Sequence, residues 1–298
     1  MKRIVYIIIS LLVVASPLSA EAQEQTWAMP FTVLPDTPSE IAMAGVGLSS
    51  RSSDCADVRL GYMSYAPEGD KTDYYSLTGR YKMNDKLSFS FSGVYGLCMP
   101  YVMVNEGGFE EDRFTPSQMK VVFGASYAFC QYLSVVAKTK LLTEILAPEA
   151  SYSSFAADLA VMSEYGLDES SSIVAQAGLF NFGIPVKSVT GIYFPLPTSV
   201  GLKCLYARNI NGEDSLEAKA AADVYLKGSL SATVAMSYTY RDMIAVRAGY
   251  RCGGESVLPS FASAGFGIKF AGVSLDLAYL FAGETLSNTL CVGLGYSF

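Results

Sequence analysis

From residue 57 to the end of the chain, bulky apolar side chains take turns with small or polar ones. Leu87-Ser88-Phe89-Ser90-Phe91-Ser92 alternates strictly. In 230–241, Leu230, Ala232, Val234, Met236, Tyr238 and Tyr240 interleave with Ser231, Thr233, Ala235, Ser237, Thr239 and Arg241. The last residues repeat the pattern, with Leu290, Val292, Leu294, Tyr296 and Phe298 on one phase and Cys291, Gly293, Gly295 and Ser297 on the other. A period of two sends successive side chains to opposite faces of a β-strand. The uncharged run 87–105 is long enough to suggest a helix, but Gly93, Gly96 and Pro100 would break one. Alternating segments bounded by turn residues lie near 57–66, 72–83, 86–98, 118–130, 131–141, 153–164 and 170–182. Seven more lie near 197–208, 214–226, 228–240, 242–252, 261–270, 273–282 and 286–298.

The chemistry of the two faces selects the architecture. A soluble sandwich turns its charged face outward. Here the polar face is mostly Ser, Thr, Gly and Ala with single charges. Lipid outside and small polar groups inside is the pattern of a transmembrane barrel, which must close because an open sheet edge in hydrocarbon strands its N–H and C=O groups. The predicted fold is all-β, a transmembrane antiparallel β-barrel of about 14 strands, an even number as single-chain bacterial barrels have. Asn84-Asp85, Arg241-Asp242 and Ala271-Gly272 are suited to tight turns. The connections 99–117, 142–152, 183–196 and 253–260 then fall together at the opposite, outer end. Parity places Arg80, Lys120, Lys138, Lys140, Asp158, Glu164, Lys203, Glu217, Lys219, Asp223, Arg241, Arg247, Lys269 and Asp276 in the lumen, where charges of both signs are expected to form a network of ion pairs.

The first residues have a different character. Lys2 and Arg3 precede an uncharged apolar stretch, and Ala20-Glu21-Ala22 follows, so residues 1–22 read as a cleaved signal peptide and the protein as exported. Within 23–56, Thr37-Pro38-Ser39-Glu40 is a capping box, with Thr37 as N-cap, Pro38 at the first helical position and Glu40 reaching back. Gly45 and Gly47 stop the helix. Ahead of a wide barrel over 57–298, such a segment predicts a hatch that plugs the lumen, with Thr37, Pro38, Glu40, Gly45, Gly47 and Asp57 as its candidate residues.

Composition narrows the function. Of 298 residues 51% are hydrophobic and 16% charged, with a mean hydropathy of +0.29; soluble domains carry about 25% charged residues. A net charge of −7 argues against a general grip on nucleic acid. The chain has no histidine, which removes Ser-His-Asp and Cys-His catalysis and imidazole-built zinc sites. A non-enzymatic protein without a cofactor is expected; Gly253-Gly254 marks a hairpin rather than a phosphate loop. Cys55, Cys98, Cys130, Cys204, Cys252 and Cys291 are widely spaced with no CxxC. They suit small positions in a barrel wall, with disulfides as the alternative. The acidic run Glu106, Glu110, Glu111 and Asp112 reads as a solvated loop before a calcium site.

Several stretches resemble one family. Ile41-Ala42-Met43-Ala44-Gly45-Val46-Gly47-Leu48-Ser49 followed by Ala56-Asp57 is similar to the N-terminal signature of the FadL-like barrels of the PorV/PorQ family. Phe114-Thr115-Pro116, Phe155-Ala156-Ala157-Asp158-Leu159, Ile244–Tyr250, Ser263–Ile268 and Val273–Tyr279 extend the resemblance along the mature chain. Members carry an Asn-Pro-Ala shortly after the Ala-Asp pair, where this chain has Val58-Arg59-Leu60. The resemblance implies a fourteen-stranded barrel in the cell outer membrane of a Bacteroidota-type bacterium, with an N-terminal hatch. It also implies support of type IX protein secretion or surface attachment, with secretion-system proteins or secreted cargo as partners beside outer-membrane lipid. A FadL-like channel for small hydrophobic solutes is the alternative, although the inward face reads as poor in large apolar groups. The apolar connection containing Ile192, Tyr193 and Phe194 is a candidate lid or partner loop. Phe298, ending an alternating strand, is the candidate assembly signal.

Overall fold

The computed structural model describes residues 27–49, 55–65, 71–104, 109–254, 256–282 and 289–298. The expected signal peptide and Glu106 lie outside the described residues. Fourteen strands close into one antiparallel barrel in which every strand pairs with its sequence neighbours. They are β1 (Ala56–Tyr65), β2 (Thr72–Lys82), β3 (Leu87–Cys98), β4 (Ser117–Cys130), β5 (Leu133–Ala147), β6 (Ala150–Gly166) and β7 (Ser171–Gly183). Then come β8 (Ser199–Asn209), β9 (Ser215–Tyr225), β10 (Leu230–Tyr240), β11 (Ile244–Gly253), β12 (Phe261–Phe270), β13 (Val273–Ala282) and β14 (Thr289–Ser297). β14 closes on β1 with Leu294 opposite Leu60, and Phe298 N–H donates to Ala56 C=O at 2.9 Å. Closure leaves no open edge, which in hydrocarbon would cost several kcal/mol per unpaired group. No helix among the described residues is long and apolar enough to cross a membrane.

The end of the barrel where the wall begins and finishes, at Ala56 and Ser297, is termed the near end. Its connections are short, and two are turns with both central residues at positive φ: Arg241 and Asp242 (50° and 51°), and Ala271 and Gly272 (49° and 83°). That left-handed pair matches the twist of the flanking strands. At Asn84 the side chain itself makes the turn, accepting from Lys86 and Leu87 N–H at 2.9 and 2.8 Å. The far end carries the long connections, among them a ribbon of Tyr101–Val104 with Glu110–Phe114. The predicted loop 142–152 is instead strand: β5 and β6 run on to a tight turn at Pro148 and Glu149. Two adjacent leucines hide that continuation, Leu141 facing outward and 52% exposed while Leu142 faces inward and is buried.

The outward face is an apolar band between aromatic girdles. Tyr81, Phe89, Tyr127, Phe129, Tyr132, Tyr165, Phe270, Tyr296 and Phe298 ring the near end, and Tyr75, Tyr95, Phe155, Phe182, Tyr250 and Phe281 ring the far end; all are exposed. Leu60, Leu77, Leu159, Val200, Val234, Met236, Val246 and Leu294 lie exposed between them. Leaving so many large apolar side chains on the outside is tolerable where the surroundings are hydrocarbon. Cys204 and Cys252 sit on this outer face and Cys291 on the inner one, and these three thiols are free.

The buried core lies inside the barrel, around residues 27–49. That segment forms a 3-10 turn (Pro30–Val33) and one α-helical turn, α1 (Pro38–Ile41). Thr37 Oγ1 accepts from Glu40 N–H at 3.3 Å, so the N-cap is made. The Glu40 carboxylate lies over Gly47, where a Cβ would sit 2.8 Å from Oε1, rather than completing the box. One expectation fails. Asp57 is not part of the hatch but an inward wall residue of β1, because the alternation already begins at Ala56 and its carboxylate pairs with Arg80 across the strand at 2.7 Å.

Candidate lumenal site

The hatch runs from the far end to the near end through the lumen. Trp27 is held at the far mouth, donating from Nε1 to Ser256 Oγ at 3.3 Å, with its ring 6.1 Å from that of Tyr225 and under Lys227 Nζ. Ala28 N–H donates to Pro195 C=O at 3.0 Å. Halfway down, α1 presses against β12, β13, β14 and β1. Glycine permits this approach: a Cβ on Gly265 would stand 2.4 Å from Ala42 Cβ, and one on Gly249 2.7 Å from the Met43 backbone. Ser263 Oγ closes the contact twice, donating to Ala42 C=O and accepting from Ala44 N–H, both at 3.0 Å. Ala44 and Gly45 then turn the chain with φ of 50° and 86°. Val46 and Leu48 pack on Val174 and Leu205 towards the near end.

Opposite α1, the hatch is tied to the wall by charge. Asp36 Oδ1 lies 2.6 Å from Lys120 Nζ on β4, and Ser92 Oγ on β3 donates to Asp36 Oδ2 at 2.6 Å. Lys120 also donates to Leu34 C=O at 3.1 Å. Burial by itself would raise the Asp36 carboxyl, but Lys120, the Ser92 hydroxyl and the field of Lys138 outweigh it and hold it below the usual carboxylate value. Arg59 Nη1 reaches Ser39 Oγ at 3.3 Å from the other side.

The lumen has two different halves. Towards the far end, the arc from β12 through β14 and on through β1 to β6 turns Met63, Tyr74, Leu142, Phe261, Leu280 and Cys291 inward. These pack with Met29, Phe31 and Ile41 of the hatch and with Leu196 and Leu258 of the far connections. The expectation of an inward face poor in large apolar groups is therefore wrong for this half. Two adjoining cavities, of about 20 and 10 Å³, lie between hatch and wall; both are lined by Leu34, Pro35, Ile41 and Met63, and the first is bordered also by Ser76 and the Asp36–Lys120 pair. Each is about the size needed for one water. The near half carries ion pairs beside the Val46–Leu48 cluster: Asp57 with Arg80 at 2.7 Å and Arg59 at 3.6 Å, and Arg247 with Asp276 at 2.6 Å.

The other sequence candidates are distributed as follows. Lys140 meets Asp158 at 2.8 Å and Asn181 Oδ1 at 2.6 Å, at a break in the β6–β7 ladder between Ala157 and Leu159. Asn181, at a φ of 53°, donates its N–H to Asp158 Oδ1 at 2.7 Å, so side chains replace the missing backbone pairing. Lys219 pairs with Glu217 at 3.2 Å. Lys203 lies 5.0 Å above the Phe180 ring, Asp223 faces Gly201 on the neighbouring strand, and Lys138 and Lys269 are exposed to the lumen. Arg241 is in a near-end turn, 3.9 Å from Glu213. In the apolar connection, Val186–Lys187 pairs with Tyr193–Phe194. Its tip leaves Ile192 and Tyr193 57% and 64% exposed, Phe194 is half-buried, and its base sends Leu196 into the lumenal core. Asp36, Ser92 and the inward apolar residues were not singled out by the sequence.

No protein-family model matches the chain, and no curated protein sequence matches it. Among solved structures the fold is similar to the toluene transporter TodX of Pseudomonas putida, with a TM-score of 0.55 and 13% identity over 92% of this chain and 99% of that one. It is also similar to the monoaromatic hydrocarbon channel CymD (TM-score 0.54, 12% identity, 89% of this chain and 98% of that). For the toluene transporter TbuX of Ralstonia pickettii the values are 0.52 and 11% over 90% of this chain and all of that one. What the chain shares with these three structures is the fold, a closed antiparallel β-barrel.

Proposed function

We propose that the chain is an outer-membrane channel for small hydrophobic solutes, closed at rest by residues 27–49. The observation that carries this reading is the apolar far half of the lumen, where Met63, Tyr74, Leu142, Phe261 and Leu280 surround the hatch with two small cavities left between them. A solute that prefers oil to water gains about 25 cal/mol for each Å² of apolar surface it buries on such a wall. A sugar gains nothing there and loses its hydration. The solved structures of similar fold include a toluene transporter and a monoaromatic hydrocarbon channel, which agrees with this reading without assigning a solute to this chain. In this account the near end faces the periplasm and the far connections face outside.

The exposed Ile192 and Tyr193 favour a second reading, in which the far rim docks a partner in type IX secretion or surface attachment, as PorV/PorQ-like proteins do. Uptake separates the two. Cells of a porin-poor host expressing the chain should take up a labelled small aromatic hydrocarbon faster than empty cells, with no gain for a sugar of similar size. Equal hydrocarbon uptake with and without the protein removes the channel reading and leaves the docking one.

A further inference from the structure

Seven charged residues are buried among the described ones, and six of them have an ionic partner: Asp57, Lys120, Lys140, Asp158, Lys219 and Asp276. The seventh is Arg251, an inward residue near the far end of β11 that is only 8% exposed. No carboxylate of the described residues lies within ion-pairing distance of it. Its Nη2 donates to Tyr225 OH at 3.0 Å, and its Nε, fully buried, has no partner among the described residues. The Ser231 hydroxyl, on a residue 1% exposed, is buried beside the Tyr225 hydroxyl. A guanidinium cannot shed its charge at any pH a cell meets, so an isolated one in such a place is costly unless an anion joins it.

Arg251, Ser231 and Tyr225 converge on one spot. A Cβ on Gly254 would meet Ser231 Cβ at 3.0 Å, Tyr225 Cε2 at 3.4 Å and Arg251 Nη2 at 3.5 Å. Gly253 and Gly254 both have positive φ, 74° and 70°, and bring the bare backbone past this corner of the mouth. Tyr225 in turn packs on Trp27, the anchor of the hatch.

We propose that Arg251, with Ser231 and Tyr225, is a binding site for a small oxyanion at the far mouth of the lumen. Guanidinium and hydroxyl together suit a carboxylate or phosphate oxygen pair. Because Arg251 faces inward, the anion enters from the aqueous mouth and not from lipid headgroups around the outer wall. Its neighbours make occupancy visible, since Trp27 is the chain's single tryptophan.

The test uses the full mature chain, folded in detergent and titrated with inorganic phosphate or acetate against sodium chloride of equal ionic strength, with Trp27 fluorescence and thermal unfolding followed together. A saturable fluorescence change and a higher unfolding temperature with phosphate or acetate, but not with chloride, are expected. Arg251→Met should abolish both responses, and Lys269→Met, which removes an exposed lumenal cation, should keep them. Should Arg251→Met fail to assemble, Arg251→Lys serves, with a response at least tenfold weaker in concentration. No saturable response in the parent chain overturns the proposal, as does an undiminished one in the Arg251 variants.

Discussion

Asp36→Ala removes the carboxylate that ties the hatch to the wall and leaves the Lys120 ammonium with the Leu34 carbonyl but without an anionic partner. The Lys120 side chain is 4% exposed and that of Asp36 22%. Breaking a buried pair from one side costs about 3–5 kcal/mol, because the remaining charge is uncompensated. With Asp36 one-fifth open to solvent, the lower end applies, about 3 kcal/mol. At about 1.4 kcal/mol per factor of ten, the released hatch becomes roughly a hundredfold more populated. Planar-bilayer recording reads this directly as a rise in the fraction of time a channel conducts. Asp36→Asn should fall between, since it keeps a hydrogen-bond acceptor for Ser92. Asp36→Ala combined with Lys120→Met should conduct less than Asp36→Ala alone, because the stranded cation is gone. The pH dependence has a definite sign. A carboxyl held below its ordinary value of 3.8 in the folded state stabilises the closed hatch above that value and loses its contribution as pH falls through the lower, folded one. Closure should therefore be level from neutral pH down to about 5 and fail only in stronger acid. An Asp36→Ala channel as tightly shut as its parent would refute the latch.

Three further outcomes follow from the geometry. Arg at Val234 or Leu277, both exposed on the outward band, should cost about 2–4 kcal/mol of barrel stability in lipid, while Arg at the inward Ser274 should be tolerated; equal losses in urea unfolding from vesicles would mean that the register or the membrane assignment is wrong. Deleting Phe298, whose N–H and C=O close the barrel on Ala56 and Cys55 and whose ring packs 4.6 Å from Tyr296, should lower the amount of heat-modifiable barrel; unchanged amounts would remove its role in assembly. Changing Ile192 and Tyr193 to Ser should leave assembly intact, as both are exposed, and reduce either solute entry or partner capture, while Leu196→Ser should destabilise the lumenal core; a loss of barrel from the tip changes would show that the tip is structural.

The strands and their faces could be read directly because alternation is a local signal. Turn chemistry at Asn84, Arg241-Asp242 and Ala271-Gly272 supplied their ends. Parity, however, says only in or out and nothing of height along the barrel. Met63, Tyr74, Leu142, Phe261 and Leu280 lie on five different strands, so each is an isolated exception in the sequence. They become an apolar half-lumen only when the registers align. The same holds for the pairs Lys140–Asp158 and Arg247–Asp276, whose members parity put inside without matching them. Asp36 lies outside any periodic segment, and nothing in the chain links it to Lys120 before folding. The bulge at Asp158 and Asn181 is one extra residue in a ladder, a shift that composition does not register. For Asp57 the motif at Ala56-Asp57 points to the hatch while the phase of the alternation points to the wall, and the phase is right.

The central claim, that a hatch closes a lumen with an apolar far half suited to small hydrophobic solutes, is tested most directly by one uptake measurement on matched amounts of assembled barrel. The parent chain, Asp36→Ala and Leu280→Gln would be compared for the initial rate of entry of a labelled small aromatic hydrocarbon. The account predicts faster entry for Asp36→Ala, where the hatch is loosened, and slower entry for Leu280→Gln, where a buried amide interrupts the apolar wall. Entry at the same rate through all three barrels would contradict it.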